Sequence, residues 1–109
     1  GVGIPVDKHQ AEYWFRQAIS AGDRMYAPSN LGDLYRKGGP GFPVSLPLAM
    51  QAYRLSEDPY AHYRIGQAYE EGWNGDPDPE KAFYWYRKAA DEGHHLAIRR
   101  LRKADGEEE

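Results

Sequence analysis

The residues best suited to chemistry are the acids and imidazoles of Asp91-Glu92-Gly93-His94-His95. Carboxylates and imidazoles together can hold zinc or a similar ion. Their spacing argues against it. Adjacent side chains in a turn diverge, and the chain has neither an HExxH motif nor a histidine pair one helical turn apart. These residues read as surface histidines. His9 and His62 are isolated in sequence, and His62, near a helix start, is expected to be exposed. Glu70, Glu71 and Glu80 could work as an acid–base pair only if two converged in a pocket. The helical spacing instead puts them on solvated faces. Gly38–Gly41 is glycine-rich, but it lacks the lysine and the preceding strand of a phosphate-binding loop. No nucleophile elbow or Ser/His/Asp order is present. With no cysteine there is no thiolate chemistry and no disulfide. No catalytic residue, metal or cofactor is expected, and the chain reads as non-enzymatic.

What remains is aromatic. Three Trp, nine Tyr and three Phe in 109 residues are many for a single domain. With arginine they could stack on single-stranded nucleic acid. Most, however, recur at core spacing. The net charge is −3, and Asp105, Glu107, Glu108 and Glu109 account for it. The rest of the chain is nearly balanced and carries no basic footprint, so no nucleic-acid partner is expected. Residues 105–109 read as a solvated, disordered acidic tail. No apolar run reaches membrane-spanning length, and none resembles a secretory core.

The elements that position these residues are helices. Asp7 and Gln10 suggest a capped start, and Ala11, Trp14, Phe15, Ala18 and Ile19 lie on one helical face. Gly22 closes this first helix, at about 8–21. A second runs over about 27–37, with Pro28 in its first turn and Leu31, Leu34 and Tyr35 as its stripe. Gly38–Ser45 is a punctuated turn. Ser45 then caps a short third helix at about 46–56 with Ala49, Ala52 and Tyr53 inward. Asp58-Pro59 and Asp78-Pro79 are matched start signals for helices at about 59–71 and 79–92. A last helix covers about 95–104.

Two helix types alternate. The aromatic type pairs Ala11 with Ala82, Trp14 with Trp85, Phe15 with Tyr86, Ala18 with Ala89 and Gly22 with Gly93. The glycine-bearing type pairs Ala27 with Ala61, Leu31 with Ile65, Gly32 with Gly66 and Tyr35 with Tyr69. A glycine inside a helix costs about 1 kcal/mol relative to alanine, so close approach of a neighbour is expected at Gly32 and Gly66. In-register recurrence of hairpins that cannot bury their apolar faces alone predicts a stacked array. The expected fold is all-α: a superhelix of about three antiparallel helical hairpins over residues 1–104. Trp85 is expected to fill the layer between hairpins, and Trp85→Ala to cost about 3–5 kcal/mol.

LGDLYRKG and KAFYWYRKAADEGHHLA, with the Gly-x-Gly loop and aspartate before a helix, resemble Sel-one-like repeats, relatives of tetratricopeptide repeats. The likeness covers nearly the whole chain. It weakens over Gly39–Pro59, and Arg102 and Asp105 replace the glycine and tyrosine of the last unit. The resemblance implies a scaffold or adaptor for protein–protein assembly, common in bacterial signalling, envelope and host-contact proteins. It implies no enzyme. It also puts the glycine-bearing helices on the concave side. The residues carried over as partner-binding are Tyr26, Ser29, Asp33 and Arg36; Tyr60, Tyr63, Gln67 and Glu70; and Leu96, Arg99 and Lys103. The partner would be a peptide or protein. An inhibitor or immunity partner of a secreted toxin is the alternative within that class, and a glycan-binding or glycan-modifying module the alternative outside it. Gly1-Val2-Gly3 matches the loop that follows a glycine-bearing helix. An excerpt from a longer array is therefore expected, or else a first helix that self-associates or meets a ligand.

Overall fold

A computed structural model describes residues 7–106. The Gly1-Val2-Gly3 loop and the last three acids of the tail lie outside the described residues. Six helices follow one another: α1 (Lys8–Ser20), α2 (Tyr26–Lys37), α3 (Leu46–Arg54), α4 (Pro59–Glu71), α5 (Pro79–Asp91) and α6 (His95–Ala104). Their ends fall within two residues of the expected ones. The start signals act as their chemistry dictates. Asp7, Ser45, Asp58 and Asp78 each accept first-turn backbone N–H groups that have no partner inside the helix. Asp23 does the same for α2, taking the N–H groups of Met25, Tyr26 and Ala27. Gly22 and Gly93 follow α1 and α5 at φ +109° and +93°, a region in which side chains are strained.

Each helix packs on the next, and the longest contacts are α2 on α3 and α4 on α5. The array is therefore extended, 47 × 29 × 27 Å, with a radius of gyration of 15.1 Å. A compact globule of this length would have about 13 Å. α2 also touches α4 directly, whereas no two odd-numbered helices approach as extensively.

The glycines explain the two long contacts. A Cβ on Gly32 would enter the ring of Tyr53, and one on Gly66 would sit 2.7 Å from the ring of Tyr86. The same device thus occurs twice: a tyrosine of an odd-numbered helix lies flat against the bare backbone of the preceding even-numbered one. Alanines 49, 52, 82 and 89, all buried, let the backbones come this close.

The tryptophans are placed differently from the expectation. Trp14 is 59 % exposed and α1 has no buried residue. Trp85 is only half-buried, at the edge of the core against His62 at 5.5 Å. Tyr86, one position on, fills the layer. Trp85→Ala is accordingly expected to cost only about 1–2 kcal/mol, roughly half of a full aromatic burial, and Tyr86→Ala clearly more. Urea unfolding of the two variants side by side checks the order. Two turns also contribute to the core. The loop after α2 closes through paired N–H···O bonds between Gly39 and Phe42 (2.7 and 2.9 Å) and turns Phe42 inward against Tyr35. Trp73, after α4, is buried near Tyr53 and donates its indole N–H to Glu71 at 2.8 Å.

Candidate functional site

The buried tyrosines carry a hydroxyl that must find a partner. That need builds two polar clusters on the even-numbered helices. In the first, Asp33 is the hub. It accepts from the hydroxyl of Tyr53, from that of Tyr60 at 2.7 Å and from Arg36 Nη2 at 3.3 Å. Arg36 also donates Nε–H to the Tyr53 oxygen at 3.1 Å. Burial alone would raise the Asp33 carboxyl, but the hydroxyls of Tyr53 and Tyr60 and the Arg36 guanidinium outweigh it and hold the acid below its ordinary range. Arg64 extends the cluster, donating to Tyr60 at 3.0 Å and to Gln67 at 2.6 Å, with its guanidinium over the Tyr60 ring.

The second cluster centres on Glu70. It accepts from the Tyr86 hydroxyl at 2.5 Å and from two nitrogens of Arg100. Arg100 lies over Phe83 and Tyr86, 5.2 and 5.7 Å from the ring centres. The Arg100 hydrogen bonds, then Tyr86, lower the Glu70 acid against the opposing effect of burial. The clusters share a logic but not a position. In the repeat alignment Asp33 corresponds to Gln67 and Arg36 to Glu70, so the acid has moved to the place of the base and the second cluster's base, Arg100, comes from α6. Both carboxylates are held ionised by donors, which makes neither a poised general acid. Their effect is to tie α2 to α3 and α4, and α4 to α5 and α6.

Beside the second cluster a notch of about 320 Å³ opens between α4 and α6, lined by Tyr63, Leu96, Arg99, Arg100 and Lys103. Arg99 and Lys103 are exposed, and Tyr63 and Leu96 are half-buried. His94 stacks on Tyr63 at 5.3 Å and stiffens the floor. Burial, with His95 adjacent, keeps the His94 imidazole below its ordinary pKa.

The expected site residues therefore divide. Asp33, Arg36, Tyr60 and Gln67 join the first cluster and Glu70 the second, while Tyr63, Leu96, Arg99 and Lys103 share the notch. Tyr26 is 70 % exposed at the start of α2 and joins none of them. Ser29 is a correction. It is only 3 % exposed, because a hydroxymethyl is too short to emerge where the matching Tyr63 does. His62 is a second correction. It is buried, with Nδ1 2.6 Å from Glu92 Oε1 and Nε2 3.1 Å from the Ser56 carbonyl, and ties α4 to the ends of α3 and α5. The sequence reading missed Arg64, which acts through Tyr60 and Gln67 one turn away on its own helix, and Arg100, which acts through Glu70 on another helix. Among the described residues no group of three or more His, Cys, Asp or Glu converges as a metal site. No described helix is long and apolar enough to cross a membrane.

A family model described as the Sel1 repeat matches residues 1–23 and 59–94. The chain belongs to the Sel1 repeat family. The unmatched stretch between the two matches holds the glycine-rich loop and the short α3, where the resemblance was weakest, but also α2 with LGDLYRKG, which had carried it. Among solved structures, a Sel1 repeat protein from Oxalobacter formigenes is similar over 93 % of this chain, with 34 % identity and a TM-score of 0.79. The chain spans 42 % of that protein's length. Comparison with curated proteins gave no match. Sel1 repeats generally mediate protein–protein interaction, and proteins built of them are typically non-enzymatic scaffolds. The six-helix array is an all-α solenoid of this kind.

Proposed function

We propose that this chain is a non-enzymatic adaptor module that binds a peptide or protein along the wall formed by α2, α4 and α6. The observation that carries the reading is the notch between α4 and α6. It combines an accessible aromatic ring, an aliphatic floor and exposed cationic side chains, the mixture that anchors interfaces. The two flanking clusters support it. Side chains already locked by hydrogen bonds lose little freedom when a partner arrives. An extended peptide or a helix could lie along such a wall.

The test is affinity capture from cells that make the protein, with the full chain as bait and a Tyr63→Ala/Leu96→Ala double variant beside it. The variant is expected to keep its far-UV circular dichroism and to lose the captured partner at least about tenfold, or 1.4 kcal/mol. Undiminished capture would remove the notch from the reading. Turnover of a substrate by the purified chain would overturn the adaptor assignment itself.

A further inference from the structure

Each described helix except α6 begins on a side chain that accepts its first N–H groups. Asp7, Ser45, Asp58 and Asp78 do this for α1, α3, α4 and α5, and Asp23 for α2. At α6 the capping position is held by His94, whose side chain makes no such bond. A stack of rings holds this start instead. The His94 imidazole lies on Tyr63 at 5.3 Å and 21°, beside Tyr60 at 6.1 Å, with His95 stacked on it at 5.4 Å. Both tyrosines belong to α4. α6 thus packs on α5, and is tied to α4 by these rings at its start and by Arg100 on Glu70 farther along.

The stack suits only a neutral ring. His94 Nδ1 is buried and has no hydrogen-bond partner among the described residues. A neutral imidazole with its proton on Nε2 leaves an unfilled acceptor there, a modest cost. An imidazolium would put a charged N–H at the same point with nothing to receive it, a far larger one. The surroundings agree. Burial opposes the charge most, then His95; Asp58 at the start of α4 favours it, and Arg64 opposes it. Asp58 already accepts the Tyr60 N–H, and the Tyr60 hydroxyl is given to Asp33. On the α5 side Glu92 is engaged by His62 and Lys88. The N-terminal pole of α6 is itself positive.

We propose that His94 is an acid-operated latch between α6 and α4. Neutral, its ring holds the first turn of α6 against Tyr60 and Tyr63 and keeps the notch in shape. Protonated, it leaves the stack for water, and the start of α6 parts from α4 while α5 and the Arg100–Glu70 pair retain the helix. The sign follows from linkage. The docked ring takes a proton less readily than a free imidazole, which titrates near 6.5. The contribution of the latch is therefore complete above about pH 6.5 and is lost as the pH falls through the lower value of the docked ring. The latch does not rest on the adaptor reading. For an adaptor that uses the notch, its consequence is weaker capture in mild acid.

The test compares the full chain at about pH 7.5 and about pH 5.5. Amide hydrogen exchange, corrected for its intrinsic pH dependence, reads the protection of Ile98–Leu101 against that of α2. Proton NMR follows the imidazoles through the same range. In acid the α6 amides should lose at least about threefold more protection than α2, and His94 should titrate below the ordinary histidine range. His94→Phe keeps a ring for the stack and has nothing to protonate, so its α6 protection should be the same at both pH values. His95→Gln, at an exposed position, should keep the acid response. Unchanged α6 protection in the wild-type chain overturns the latch. So does an acid response that survives His94→Phe, which would place the switch at the His62–Glu92 contact or elsewhere, or one that disappears in His95→Gln. Should His94→Phe not fold, the titration decides alone, and a His94 that titrates at or above the ordinary value sinks the proposal. The adaptor reading fails separately. Capture that persists in acid while α6 loses protection leaves the latch standing and removes the notch from the adaptor.

Discussion

Tyr53→Ala is expected to remove a large share of the chain's stability, about 3–5 kcal/mol. Tyr53 is fully buried between the bare backbone of Gly32 and the rings of Tyr60 and Trp73, 6.3 and 6.4 Å away. Truncating such a side chain costs about 3–5 kcal/mol, because the cavity cannot close around rigid helix backbones. The loss is compounded at Asp33, which keeps the Tyr60 and Arg36 donors but loses the hydroxyl of Tyr53. A domain this size holds only about 5–15 kcal/mol in all. In a stacked array the damage concentrates at one interface, here α2 on α3, so the two sides should also unfold less in concert. Tyr53→Phe separates the terms. It keeps the ring and should cost about 1–2 kcal/mol for the hydrogen bond alone. Urea titration followed by circular dichroism distinguishes the two. If Tyr53→Ala melted like Tyr53→Phe, the ring against Gly32 would not be what holds the array together.

The same residue shows why the fold was easier to read than the site. Helix starts, glycine ends and alternating helix types depend on neighbours in sequence, so spacing exposes them. The choice between Trp85 and Tyr86 needed one more step. Matching tryptophans at positions 14 and 85 drew attention to the larger ring. Yet Ala82 and Ala89, both fully buried, mark the centre of the packed face. Tyr86 lies four residues after one and three before the other, directly on that line. Trp85 is about 100° round the helix from it. The polar clusters were less legible still. The buried hydroxyls of Tyr53 and Tyr86 reach acids at different repeat positions, Asp33 and Glu70, so alignment of the units hides the pattern. Arg64 and Arg100 drew no reading from the sequence: Arg64 acts through Tyr60 and Gln67 a turn away on α4, and Arg100 through Glu70 on another helix. Ser29 was carried over by register alone, and register says nothing about side-chain length. His62 is buried only because Ser56 and Glu92 converge on it from the ends of two other helices.

Gly66→Leu is expected to detach α5 from α4, and Gly66→Ala to reverse the usual sign of a helix substitution. Alanine normally stabilises a helix interior by about 1 kcal/mol over glycine. At Gly66 its methyl would lie 2.7 Å from two ring carbons of Tyr86 and 3.1 Å from the Ala82 carbonyl oxygen. The ring cannot swing away. It is buried, and its hydroxyl is held by Glu70 at 2.5 Å. The carbonyl belongs to the α5 backbone, so relief requires the helices to separate. Overpacking of this kind costs about 1–3 kcal/mol, and Gly66→Ala should be destabilised despite the better propensity. Leucine adds three more carbons where one does not fit, so Gly66→Leu should lose about 3 kcal/mol or more. The tyrosine would be displaced with it, releasing Glu70 and Arg100 at the edge of the notch. Pairing each substitution with Tyr86→Ala is decisive. If the ring is the obstacle, Gly66→Ala should become neutral or stabilising in that background, read as the coupling between the two changes in urea unfolding. Additive losses would place the strain elsewhere, at the Ala82 carbonyl.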